Sequence, residues 1–166
     1  MCWAGVVRGR VFLHWFSQNE SVNGQIYLNM LQNVLWPQVE DMRGVWFQQD
    51  GAPPHMPARA WLQEKFEGRV ISRLTPIPWP AKSPDLSCLD FWFWGVAMAE
   101  LQRNPPKTID ELKETVESFV ESLDEDEVLK VTKHIRKRVL ACQAVGGSNF
   151  EGNLEKIIKE LETNEE

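Results

Sequence analysis

The chain has 166 residues, 43% of them hydrophobic, and a formal net charge of −6, which is enough for one domain with a real core and short for two. Residues 1–95 are balanced at 8 basic and 8 acidic side chains, whereas residues 96–166 carry 10 basic and 16 acidic. A global basic footprint for nucleic acid is therefore excluded, and any such contact needs a local patch, a metal-bridged phosphate or a basic domain outside this sequence.

No run of 18 apolar residues occurs, and Arg8 and Arg10 interrupt the stretch that would have to be the apolar centre of a signal peptide. The expectation is a soluble, intracellular protein with no membrane partner. Cys2, Cys88 and Cys142 are odd in number and share no metal-ligand spacing, so they are expected to be reduced, partly buried thiols.

In chain order, CWAGVV (residues 2–7) and VFLHWFS (residues 11–17) are β-rich runs around Arg8, Gly9 and Arg10, the pattern of a hairpin. Asn23 or Ser21 caps a helix in which Tyr27, Met30, Leu31, Val34 and Leu35 recur at helical spacing until Pro37 stops it. Val45, Trp46 and Phe47 predict a buried strand that ends at Asp50 and is broken by Gly51, Pro53 and Pro54. Pro57 predicts the first position of a helix with Ala58, Trp61, Leu62 and Phe66 on one face, and Val70 to Leu74 predict a short strand.

TPIPWPAKSP then holds four prolines, Pro76, Pro78, Pro80 and Pro84, which predict an extended connection without helix or ladder. Ser83, Pro84 and Asp85 open the way to a helix over DLSCLDFWFWG, with Asp90 about one turn inside and the pattern continuing past Gly95 through Val96 and Met98. Thr108 and Glu111 form a capping box after Pro105 and Pro106, with Ile109, Leu112, Val116, Val120 and Leu123 on one face of the helix. A further helix uses Val128, Leu129, Ile135, Val139 and Cys142 and ends at Gly146 and Gly147. Leu154 to Glu162 is short and charged, and the end from Thr163 to Glu166 is expected to fray. The order is that of a mixed α/β domain with a helical tail.

Asp50 at a strand end and Asp90 near a helix start are the candidate site residues. Phosphoryl transfer on nucleic acid uses two divalent ions about 3.5–4 Å apart, and magnesium takes hard oxygen ligands from one or two carboxylates plus substrate phosphates. On pattern alone, each aspartate also fits a cap or a solvated turn.

WFQQDGAPPH followed by WPAKSPDLSCLDFWFWG closely resembles the second and third catalytic blocks of mariner-type DDE transposases (DDE superfamily endonucleases), whose usual forms are QDNAPxH or QDGAPPH and SPDLxPxD or SPDLxPxE. MCWAGVVRGRVFLHWF resembles the family's second and third strands, SVNGQIYLNML the helix that follows, and RVLACQAVGGSNFE a block near its carboxyl terminus. The resemblance spans nearly all of residues 1–152. It implies that Asp50 is the second catalytic carboxylate and Asp90 the third, both ligands of Mg2+ or Mn2+. The implied activity is DNA strand cleavage and strand transfer in transposition and integration, in the nucleus.

The implied fold is ribonuclease-H-like, a mixed sheet flanked by helices, lacking its first central strand and carrying a carboxyl-terminal helical extension. Residues 1–104 would form the truncated catalytic core, and 105–166 the extension packed on the same domain. His55 matches the family's histidine and would contact the site or its DNA, with packing or turn stabilisation as the alternative. Asp85 reads as a helix cap, because its spacing from Asp90 points the two to different faces. Phe91, Trp92, Phe93 and Trp94 read as core. Cys88 stands where SPDLxPxD has proline.

The family's first carboxylate lies on a strand upstream of the hairpin, and no acidic residue here precedes Glu20. Glu20 and Asp41 match no motif position and take no role. The sequence reading therefore expects impaired or lost catalysis, weak or non-specific DNA binding, and self-association through strand edges exposed by the missing strand. A non-enzymatic remnant or domesticated module, binding nucleic acid or a protein partner, is the alternative. A third is an unrelated α/β protein in which both aspartates are structural.

Overall fold

The computed structural model describes residues 1–163; of the fraying predicted from Thr163 to Glu166, Thr163 instead ends a helix and the rest lies outside the described residues. Two units emerge, one of Met1–Ala4 with Phe12–Lys82, the other of Gly5–Val11 with the chain from Ser83 onward.

The hairpin expected at the start is present. β1 (Cys2–Val7) pairs with β2 (Arg10–Trp15), and Arg8 and Gly9 make the turn at φ 49° and 80°, the two left-handed positions that a two-residue hairpin turn requires. Phe16 N–H donates to Met1 O at 2.9 Å and closes the open end.

In the first unit, Asn23 caps α1 (Gly24–Met30), its Oδ1 accepting from Gln25 N and Ile26 N at 2.9 and 3.1 Å. Pro37 does not stop this helix as expected. A π-helical turn, Leu31–Leu35, follows α1, and α2 (Trp36–Val39) runs on through the proline. The widened turn has Trp36 N–H donating to Leu31 O. Pro37 consequently falls in the first turn of α2, where a missing N–H costs little. Tyr27, Met30, Leu31, Leu35 and Val39 are the buried residues of this run.

β3 is only Phe47–Gln48, shorter than predicted and only half-buried. Val45, Phe47 and Gln49 turn inward while Trp46, Gln48 and Asp50 are exposed, and Trp46 keeps 49% of its surface. A strand with one solvated face alternates in this way. β4 (Val70–Ser72) pairs with β3 in parallel, Phe47 opposite Val70, and stops before Leu74, which is exposed with φ 60°.

The proline-rich stretch was expected to carry no ladder, yet β5 (Ile77–Pro78) pairs in parallel with β4. It does so because it is an edge strand, where Pro78 needs no donor, and because Thr75 substitutes for part of the ladder. Thr75 Oγ1 accepts from Ser72 N at 3.0 Å and lies 2.7 Å from Ile77 O and 2.9 Å from Ser72 O. The sheet order is β3-β4-β5, separate from the β1-β2 sheet.

α3 (Arg59–Lys65) buries Leu62 completely, a contribution of about 1.5–3 kcal/mol for such a side chain. It starts at Arg59, two residues after Pro57, with Ala58 at the N-cap; a 3-10 turn, Pro53–His55, precedes Pro57. Trp36, Trp61, Phe66 and Phe47 stack edge-on or tilted around it.

In the second unit, a 3-10 turn (Pro84–Leu86) and a π-helical turn (Leu89–Phe93) lead into α4 (Trp94–Arg103). Of the four consecutive aromatics only Phe93 is fully buried, and Trp94 is 38% exposed; consecutive helical side chains cannot all face one core. The capping box forms in part: Thr108 Oγ1 accepts from Glu111 N at 3.1 Å, but Glu111 Oε2 accepts from Lys107 N at 2.7 Å, one residue before the N-cap N–H that a full box uses. α5 (Ile109–Ser122) buries Val116 but leaves Ile109 51% exposed.

α6 (Glu125–Ala144) is capped by Asp124 and buries Val128, Ala141 and, against the apolar pattern, Arg138 in place of Val139. A Cβ on Gly9 would lie 2.4 Å from Glu125 Cγ, so this glycine allows the hairpin turn to meet the start of α6. α7 (Leu154–Thr163) follows the 3-10 turn Glu151–Asn153. Among the described residues no helix is long and apolar enough to cross a membrane, and Cys2, Cys88 and Cys142 are thiols, each half-buried, rather than disulfides.

Candidate catalytic site

Asp50 follows directly on the inward-facing Gln49, so the alternation of β3 turns its carboxylate to solvent. Its side chain is 62% exposed. Oδ1 accepts from Ala52 N–H at 2.9 Å, an Asx turn that folds the chain back at the glycine-proline break. The same oxygen lies 2.8 Å from His55 Nδ1, which also faces the Asp50 carbonyl at 3.3 Å. Both neighbours of Nδ1 are acceptors, so the proton sits on Nδ1.

Behind this pair lies a buried polar chain. Tyr27 O–H donates to Gln49 Oε1 at 2.8 Å, and Gln49 Nε2 donates to Ser72 Oγ at 3.1 Å and more weakly to His55 O at 3.4 Å. The Tyr27 and His55 rings lie 4.6 Å apart. Burial raises the Tyr27 hydroxyl above its ordinary range, and the Asp50 charge adds to that, against a lowering hydrogen bond with Trp3. Tyr27 therefore remains a donor. Gly24 lets the turn approach α1, since a Cβ there would lie 2.3 Å from Pro57 Cγ. The end of β3 is thus fixed from α1, β4 and its own turn.

Asp90 is the second residue of the π-helical turn and is exposed, its N–H donating to Ser87 O at 3.0 Å. Beside it, burial pushes the Cys88 thiol up to about 11; hydrogen bonds at the Cys88 and Leu89 backbone oppose this and the Asp90 charge reinforces it. Asp85 does not cap the Asp90 helix. It lies inside the preceding 3-10 turn, and the chain breaks to an extended Ser87 before Leu89. Its carbonyl instead accepts from Arg138 Nε.

Asp50 and His55 are brought together. Asp50 belongs to the first unit and Asp90 to the second. Sequence reasoning missed Tyr27, Gln49, Ser72 and Arg138 as supporting residues, although Gln49 stands next to Asp50 in the QDGAPPH block and Arg138 opens the RVLAC block.

Magnesium and manganese require hard oxygen donors. Asp50 and Asp90 are two such donors, each exposed, and among the described residues the partners seen for the Asp50 carboxylate are all on Oδ1. Among the described residues no group of three or more His, Cys, Asp or Glu side chains is gathered to hold a metal. Donor chemistry therefore fits a divalent ion only as single carboxylates completed by water and phosphate oxygens.

The element order and the small sheet flanked by helices define a mixed α/β, ribonuclease-H-like domain. Its fold is that of the Mos1 mariner transposase catalytic domain. The structure of that domain and raltegravir with Mg superposes with a TM-score of 0.76 and 21% identity, over 90% of this chain and 76% of that one. A crystal structure of the Mos1 catalytic domain gives 0.70 and 20%, over 90% and 75%. The structure with raltegravir and Mn gives 0.70 and 20%, over 90% and 76%. The mariner resemblance read in the sequence is thus borne out at the level of fold. No protein-family profile and no curated protein matches the chain.

Proposed function

We propose that this chain is a mariner-type transposase-derived domain for metal-dependent cleavage and joining of DNA strands, with Asp50 and Asp90 as two of its catalytic carboxylates. The observation that carries this is the coincidence of motif and fold. The two blocks that resemble the family's catalytic blocks lie in a chain whose fold matches a transposase catalytic domain over 90% of its length. Asp50 and Asp90 would hold Mg2+ or Mn2+, which would polarise a phosphoryl oxygen and the attacking water or hydroxyl. His55 orients the Asp50 carboxylate through Nδ1 and leaves Nε2, an acceptor in that tautomer, for a donor at the site or on DNA.

DNA is the proposed partner, bound weakly and without sequence preference in this acidic chain, and the nucleus the proposed location. The division into a core of residues 1–104 and a helical extension of 105–166, and self-association through strand edges, belong to the same proposal.

A second reading, a non-enzymatic module that binds nucleic acid or a protein, is favoured by one feature. Two carboxylates matched to motif positions underfill a two-ion site, and catalysis would be impaired. Nicking of supercoiled plasmid in manganese, by the chain and by Asp50→Asn prepared alike, separates the two. Nicking lost in the variant supports the enzyme. No nicking by either folded protein refutes catalysis and leaves the binding module.

A further inference from the structure

Arg138 is the most buried cation of the second unit, with 8% of its side chain exposed. A guanidinium has donors around its rim and faces that stack on aromatic rings, and Arg138 makes contacts of both kinds. Nε donates to the backbone carbonyl of Asp85 and Nη2 to Glu151 Oε1. The guanidinium carbon lies 4.2 Å from the Phe91 ring centroid and 5.6 Å from that of Phe150. One side chain of α6 therefore holds two points on either side of Asp90: the carbonyl five residues before it and the ring immediately after it.

Between those points the backbone is held locally by short turns: Leu86 N–H donates to Ser83 O at 3.2 Å, Ser87 N–H to Pro84 O at 3.0 Å, and the Asp90 and Phe91 N–H groups both to Ser87 O at 3.0 and 2.9 Å. The 3-10 turn is three residues long, and Ser87, between it and the π-helical turn, is extended. Two short turns joined at an extended residue are oriented relative to each other by what packs on both. Phe150 and Glu151 in turn fix the guanidinium from the chain just before α7.

We infer that Arg138 is a positioning residue for Asp90, a clamp through which α6 and the Phe150–Glu151 segment set where that carboxylate stands. The inference rests on the reading of Asp90 as a metal-holding carboxylate. It adds that the carboxyl-terminal block acts on the site through Arg138, which itself touches neither metal nor substrate. Lysine cannot replace arginine here, since an ammonium lacks the planar fork and the stacking faces.

The test uses the full chain with Arg138→Lys, Arg138→Gln and Asp90→Asn. Backbone amide exchange is followed over residues 84–91 without metal, and Tb3+ binding is read by luminescence sensitised from the tryptophans. The clamp predicts exchange about tenfold faster over 84–91 in Arg138→Gln, with α5 amides unchanged. It predicts a fall of about tenfold in the Tb3+ affinity that depends on Asp90, with Arg138→Lys close to Arg138→Gln in both. Acceleration spread evenly over the second unit, or unchanged Asp90-dependent affinity, overturns the inference. If Arg138→Gln does not fold, Arg138→Lys decides by the same two readouts. Asp90→Asn leaving Tb3+ binding intact refutes the ligand role of Asp90, and the positioning role with it. Loss in Asp90→Asn without loss in the Arg138 variants refutes the positioning role alone.

Discussion

Tyr27→Phe removes one oxygen and tests whether the buried chain behind Asp50 holds the end of β3. The Tyr27 side chain is 3% exposed and its hydroxyl donates to Gln49 Oε1 at 2.8 Å. Phenylalanine keeps the packing, including the contact with the His55 ring, but strands a buried acceptor on Gln49. Leaving such a group unpaired costs about 1–3 kcal/mol, which lowers the melting temperature by roughly 2–4 °C per kcal/mol in a chain of this size.

The pH dependence provides the sharper criterion. Folding holds the Tyr27 proton above its ordinary range, from 10.0 upward, whereas the unfolded chain releases it near pH 10. Above that pH the unfolded state binds fewer protons than the folded state, so stability falls with rising pH, by up to about 1.4 kcal/mol per pH unit for one such group. Tyr27→Phe removes this loss. Urea denaturation at pH 8 and at pH 10.5 is expected to show a deficit of about 1–3 kcal/mol for the variant at pH 8 and a smaller one at pH 10.5. Equal stabilities at pH 8, or a deficit that is constant across the range, would refute the argument.

Gly24→Ala places a Cβ 2.3 Å from Pro57 Cγ and 2.8 Å from its Cδ. Despite alanine's better helix propensity, it should cost about 1–3 kcal/mol, read as a lowered urea midpoint; a rise would show that the turn moves freely. Cys88, pushed from 9.0 to about 11, should react with iodoacetamide at pH 8 about 100-fold more slowly than in the urea-unfolded chain; equal rates would show an open thiol. Thr108→Ala should cost about 1 kcal/mol through loss of the cap to Glu111 N, and an unchanged melting curve would mean that α5 is held by packing alone.

What the sequence showed of this fold was what local chemistry decides. The hairpin turn needed a glycine at Gly9, Asn23 and Thr108 announced their helices by their capping side chains, and the Gly-Ala-Pro-Pro break showed that β3 delivers Asp50 to a turn. What it hid depends on partners distant along the chain. Gln49 looks like a surface residue until Tyr27 and Ser72 saturate its amide. Arg138 looks like part of a solvated basic run until Glu151, the Asp85 carbonyl and two phenylalanine rings compensate its burial. The β5 ladder escaped notice because Thr75 supplies hydrogen bonds that the prolines cannot. Both π-helical turns were invisible to a search for apolar residues at a period of 3.6.

The π-helical turn around Asp90 ties its orientation to a residue count. Such a turn accommodates one residue more than an α-helical turn, so the side chains before it are rotated by about 100° relative to an uninterrupted continuation of α4. Deleting a single residue within Leu89–Phe93, Trp92 for example, would restore α-helical phase and swing Asp90 by about that angle around the α4 axis with every carboxylate still present. A length variant here would therefore behave like a substitution of the carboxylate itself, and an alignment that scores only side-chain identity would pass it as intact.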